Sequence, residues 1–224
     1  MLDSGCKFFF VVFSLLRFSL NLGILERPLV QGLVWGLLTG DVGQAVSISL
    51  VFELLWLDLI PAGTFIPPNP AAANFAALSL VTIHGFSGAS QSLFPILMGM
   101  PLAWLAAGME RMHRSWQNTA YNTMQVWLRA EHQGEYAPGL LVRRAVTQAA
   151  ACYFLFFLVS LSVLTALSGM LLERGFLRLP SDLLTWGTLW LWASLGGLMS
   201  LRVPRAYAVI ASGALAMAVV SIFG

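Results

Sequence analysis

Glu26-Arg27-Pro28-Leu29-Val30 opens a stretch that runs through Thr39-Gly40-Asp41 and Glu53 to Ile60-Pro61-Ala62-Gly63-Thr64-Phe65-Ile66-Pro67-Pro68-Asn69-Pro70. Ionisable residues and a proline-interrupted segment stand here inside sequence hydrophobic enough to lie in a bilayer. A charged side chain at bilayer depth costs about 2.5–3.5 kcal/mol even on insertion scales, so each such residue must be compensated by a partner or serve a function. Four prolines between Pro61 and Pro70 remove backbone donors and break any helix, leaving carbonyls that need partners of another kind.

The rest of the chain supports a membrane setting. Of its 224 residues, 58% are hydrophobic and 10% charged, with a mean hydropathy of +0.79; soluble domains run at about 25% charged. The polar side chains needed to cover a water-facing globule are missing. A net charge of +2, with arginines at the ends of apolar runs and no basic–aromatic interleaving, argues against nucleic acid. Cys6 and Cys152 define neither a disulfide framework nor a metal site and read as small packing residues.

Hydrophobic segments fall at 8–25, 28–39, 43–60, 71–84, 92–109, 145–172, 182–201 and 205–223. A span needs about 20 residues. The pieces at 28–39 and 71–84 are too short and are expected to be re-entrant or broken helices, a backbone tolerated at membrane depth only beside protein or a water-filled cavity. The fold class expected is therefore all-α, a polytopic integral membrane helical protein with broken helices, as one domain over residues 1–224. The first segment reads as uncleaved, because Asp3 spoils a basic start and no small-residue cleavage site follows.

Residues 110–144 form the one sizeable polar portion, with Arg111, Arg114, Arg129, Arg143 and Arg144 against Glu110, Glu131 and Glu135. The positive-inside rule places this portion in the cytoplasm. Trp116, Ala120, Met124 and Trp127 recur at helical spacing and predict an amphipathic helix there. His113 and His132 read as solvated surface.

The polar residues near the broken segment are the candidates for holding a ligand. Glu53 leads: buried in an apolar run, it needs a donor from a ligand, from Arg27 or from backbone. Asn69 and Asn74 flank the break and offer amides to a ligand or to helix capping. Thr64 does the same less specifically. His84 begins a small polar loop that either lines a pathway or is satisfied within the fold. Gly40 suits a helix C-terminus and Asp41 the cap of the next helix. Asp58 lies off the face of Glu53 and ranks lower.

With those residues in view, the chain resembles the membrane-embedded IIC subunit of the mannose/fructose/sorbose family of the bacterial phosphotransferase system. The resemblance rests on Arg27-Pro28-Leu29-Val30, Gly36, Gly40-Asp41, Gly43, Glu53-Leu54, Ala62-Gly63, Pro67-Pro68-Asn69 and Ala71-Ala72-Ala73. It extends more weakly to Met100-Pro101-Leu102-Ala103. It departs where the family usually carries glycines ahead of the glutamate and this chain has Ser47 and Ser49, and where an acidic residue often stands at Asn69.

The resemblance implies a multi-pass protein of the bacterial cytoplasmic (inner) membrane that translocates a hexose-class sugar. It implies a pathway shared with a IID membrane subunit, homo-oligomers of a IIC–IID unit in lipid, and phosphoryl transfer through IIA and IIB proteins. The subunit itself is then no enzyme and needs no cofactor or metal. On this reading Glu53, Asn69, Thr64, Asn74 and His84 are the substrate-binding candidates. The alternative is a non-transporting scaffold or sensor that keeps the same fold.

Overall fold

The computed structural model describes residues 27–57, 66–129, 138–175, 184–200 and 212. Six helices carry the described chain: α1 (Pro28–Thr39), α2 (Val42–Leu55), α3 (Pro70–His84), α4 (Gly88–Arg129), α5 (Pro138–Glu173) and α6 (Trp186–Ser200). No strand occurs among the described residues.

Local chemistry sets the ends of the first three helices. Arg27 is extended, as a residue before proline must be, and Pro28 starts α1 with its fixed φ. Gly40 ends α1 at φ 84°, a left-handed conformation open to glycine without penalty, and its N–H donates to the Gly36 carbonyl at 2.9 Å. The next residue starts α2, where Asp41 Oδ1 accepts from the Gln44 N–H at 3.1 Å. Thr39-Gly40-Asp41 is thus a stop and a start in adjacent residues, and α1 and α2 fold back on each other as a hairpin. Asn69 caps α3 by accepting from the Ala71 N–H at 3.1 Å, Pro70 follows at the first turn, and Gly85 at φ 63° closes the far end.

α3 is the centre of the molecule. Residues 72–81 are all buried, and α1, α2, α4 and α5 each pack against it. Alanines on its first turns allow very close approach: a Cβ added at Gly99 of α4 would sit 2.6 Å from the Ala73 carbonyl oxygen. The connection leading into α3 is tied to α4 as well, since the Asn69 N–H donates to the Ala103 carbonyl at 2.9 Å. α6 lies on α2, with Trp190 Nε1 donating to the Ser47 carbonyl at 3.2 Å.

Two helical stretches, Gly88–Val126 and Val142–Glu173, are long and apolar enough to cross a bilayer. α1, α2 and α3 have 12, 14 and 15 residues, or roughly 18–22 Å at 1.5 Å per residue, shorter than a hydrocarbon core of about 30 Å. The segments at 28–39 and 71–84 are accordingly short helices. The expected full-length span at 43–60 is corrected, because its helix stops at Leu55 with Trp56 as its C-cap.

A second correction concerns the polar portion. The apolar helix expected at 92–109 does not end where the charges begin; α4 runs unbroken for 42 residues, through Pro95 and Pro101, to Arg129. Glu110 is compensated within the helix by Arg114 one turn on, at 2.6 Å. His113 is 1% exposed rather than solvated. The two hydrophobic segments nearest the termini lie, apart from residue 212, outside the described residues.

Candidate functional site

The buried polar residues of α1, α2 and α3 meet where α1 begins. As at any helix start, the Leu29 N–H in the first turn of α1 has no intrahelical acceptor, and the partial positive charge of that terminus faces the last turns of α2. Glu53 stands there. Its Oε1 accepts from Arg27 Nη1 at 3.1 Å and its Oε2 from the Leu29 N–H at 3.4 Å. The carboxylate is only 10% exposed while the guanidinium is 55% exposed, so Arg27 reaches in from the surface to a charge that is nearly covered. Counter-charge and helix terminus together supply the compensation that the sequence demands of this residue.

One turn deeper, Asn74 is fully buried on α3 and joins three elements. Its Oδ1 accepts from Ser49 Oγ at 2.9 Å, and its Nδ2 donates to the Pro28 carbonyl at 3.2 Å and to Gln31 Oε1 at 3.3 Å. Both amide hydrogens are therefore used within the chain. Gln31 is itself 1% exposed and Ser49 fully buried. Gly32, beside Gln31, leaves the space that Ser49 occupies: a Cβ there would overlap Ser49 Oγ and lie 2.6 Å from its Cβ. Ser49 is thus matched by a glycine across the interface and joined to Asn74.

The candidates fall into three groups. Glu53 and Asn74 belong to this network through Arg27, Pro28 and Leu29. Asn69 lies five residues before Asn74 on the same end of α3, 3% exposed, with its side chain engaged in capping. His84 lies elsewhere, at the opposite end of α3 and roughly 15 Å along the helix from Asn74. Its Nε2 meets Ser168 Oγ of α5 at 2.7 Å and its ring lies 5.4 Å from that of Phe86. Ser168 Oγ donates to the Thr165 carbonyl at 3.0 Å, which leaves the imidazole as donor to the serine. Thr64 and Asp58 lie outside the described residues.

Sequence reasoning missed Gln31. An amide at the fourth position of a helix that starts with proline looks like a surface residue until α3 is placed beside it. No group of three or more His, Cys, Asp or Glu side chains able to hold a metal occurs among the described residues. The network offers carboxylate, amide and hydroxyl groups. Groups of these kinds can hydrogen-bond uncharged, hydroxyl-bearing molecules, and no nucleophile is paired with a base among the described residues of the network.

Two apolar helices of membrane length and a compensated, buried polar cluster are what an integral membrane protein of the transport class would carry. Comparison with known families is specific: the model of the family described as the sorbose-specific IIC component of the phosphotransferase system matches residues 6–184. The chain belongs to that family. Membership makes it a membrane permease component of a sugar phosphotransferase system, whose phosphoryl transfer is carried out by other components and whose partners include IIA and IIB proteins and a sugar. None of the curated proteins matches the chain.

Proposed function

We propose that this chain is the sugar-translocating subunit of a phosphoenolpyruvate-dependent phosphotransferase system of the mannose/fructose/sorbose type. It works as a multi-pass protein of the bacterial inner membrane together with a IID subunit, and a IIB protein phosphorylates the sugar it delivers. The observation that carries this reading is Glu53, a nearly buried carboxylate held by Arg27 and the α1 terminus. A carboxylate whose charge is already balanced still has lone pairs to offer, and sugar hydroxyls are suited to take them.

In this reading Glu53 is the hydroxyl acceptor, Thr64 and Asn69 flank the sugar on the broken segment, and Asn74 fixes the distance between α1, α2 and α3. The short helices are re-entrant, and α4 and α5 are the surrounding spans. His84 serves the far end of the pathway. The rival, a scaffold or sensor without transport, is not favoured by any particular contact.

The test is uptake of radiolabelled mannose, fructose or sorbose by cells expressing this chain with its IID, IIA and IIB partners. Glu53→Ala is expected to abolish uptake without reducing the amount of protein in the membrane. Uptake that continues at the parental rate removes Glu53 from the site, and absence of uptake by the parent with all partners present supports the scaffold.

A further inference from the structure

At the opposite end of the three short helices from Glu53 lies a cavity of about 320 Å³, within the size range of small-molecule sites. It is a half-open cleft bounded by the last turn of α1, the first turns of α2 and the end of α3 with the turn after it. Asp41 and Glu53 stand at opposite ends of α2, roughly 18 Å apart at 1.5 Å per residue.

The lining combines two kinds of surface. Phe86 and the small uncovered part of Trp35, a residue 4% exposed, supply aromatic surface, while Asp41, Gln44, Thr39 and Thr82 supply polar groups. The structure accounts for most of the donors. Trp35 Nε1 is used on Thr82 Oγ1 at 3.2 Å, the two hydrogens of Gln44 Nε2 on the Phe86 carbonyl at 2.9 Å and Ser92 Oγ at 3.1 Å, and the Thr82 hydroxyl on the Leu78 carbonyl at 2.9 Å. Thr39 Oγ1 likewise donates to the Trp35 carbonyl at 3.0 Å. What these groups still offer are acceptors: the carbonyl oxygen of Gln44, the second oxygen of Asp41, whose Oδ1 holds the Gln44 N–H, and lone pairs of the threonine hydroxyls.

A surface rich in acceptors selects a ligand rich in donors. Among the described lining residues there is no Lys, Arg or His, so nothing there favours a phosphate or carboxylate. The aromatic faces suit the C–H surface of a ring, and the acceptors around them suit several hydroxyls at once. We infer that this cavity is a second binding site, distinct from the Glu53–Asn74 network, for a neutral polyhydroxylated molecule of the sugar or sugar-alcohol class. The ligand donates hydroxyls to Asp41 and Gln44 and lies against Trp35. Its use as a waiting position for a transported sugar rests on the translocation reading above; the binding itself does not.

The experiment is titration of the full-length protein in lipid nanodiscs with D-mannose, D-fructose, L-sorbose and D-sorbitol, followed by tryptophan fluorescence and calorimetry. At least one probe is expected to change the fluorescence, and Trp35→Phe to remove that change. Asp41→Asn keeps a residue that caps helices well, so the fold is retained, and is expected to weaken binding roughly tenfold or more through loss of a charged acceptor. Gln44→Leu should do the same, with its melting curve as the check on folding. Thr147→Ala, on α5 and outside both the cavity and the Glu53–Asn74 network, is the control expected to leave this binding in place.

Unchanged affinity in Asp41→Asn overturns the assignment, as does absence of a response to every probe, or a response to choline in place of the sugars. Loss of uptake in Glu53→Ala alongside unchanged binding in Asp41→Asn would refute the second site alone. Binding that depends on Asp41, in a protein that transports nothing with its partners, would refute translocation alone.

Discussion

Replacing Asn74 with alanine should cost more than any other single polar substitution in the described chain. The amide makes three hydrogen bonds to three partners on two other helices, at 2.9–3.3 Å, and is fully buried. Interhelical polar contacts in membranes average about 0.6 kcal/mol, with a maximum near 1.7, while a buried partner left unpaired loses about 1–3 kcal/mol. Ser49 can turn its hydroxyl to a backbone carbonyl one turn back, whereas the Pro28 carbonyl and Gln31 Oε1 have to find other donors. The expected loss is about 2–4 kcal/mol. Reversible unfolding in mixed micelles, followed by tryptophan fluorescence, measures it. Ser49→Ala in the Asn74→Ala background should then cost almost nothing further, because its partner has gone. A loss below about 1 kcal/mol, or full additivity of the two substitutions, refutes the view that this amide fastens α1, α2 and α3 together.

Three other outcomes are expected. Gly32→Ala should destabilise by about 1–3 kcal/mol, and Ser49→Gly should restore only part of it, because the added Cβ also lies 2.8 Å from the Ala45 carbonyl oxygen; the same micelle unfolding reports both. Gly99→Ala drives a methyl into the Ala73 carbonyl and should lower the melting temperature of the purified protein, with no remedy from side-chain substitutions on α3, since the clash is with backbone. His84→Ala and Ser168→Ala should show a coupling energy of about 0.5–1.5 kcal/mol in a double-mutant cycle, and strict additivity would mean that the 2.7 Å contact contributes nothing.

Much of the frame could be read from residues whose backbone effect is local. Pro28, Gly40, Asp41, Asn69 and Pro70 mark helix ends through φ restriction, left-handed geometry and side-chain capping, and none needs a distant partner to do so. Glu53 could be flagged from its cost in an apolar run, and Arg27 was one of its candidate partners. The α1 backbone terminus as second partner depends on how the helices pack and has no sequence signature. The same holds for Gln31 and Asn74, whose significance is a mutual placement across 43 positions of sequence.

The helix after Met109 was legible from the spacing of Trp116, Ala120, Met124 and Trp127, but its continuity with the apolar helix before it was not. Charges at the junction look like an interruption, yet residues one turn apart neutralise each other, as Glu110 and Arg114 do, and the helix continues. Pro95 and Pro101 do not interrupt it, because proline is tolerated in membrane helices when neighbours satisfy the freed carbonyls.

The complete enclosure of α3 has a consequence for how the protein is made. A segment of about 22 Å, with neighbours on every side and almost no surface for lipid, is a poor client for insertion by itself. The turn from Gly85 to Ser87 joins it directly to the long α4. Biogenesis should therefore bring the two in as a pair, with the longer partner anchoring first and the shorter one settling into place only as the remaining helices close around it.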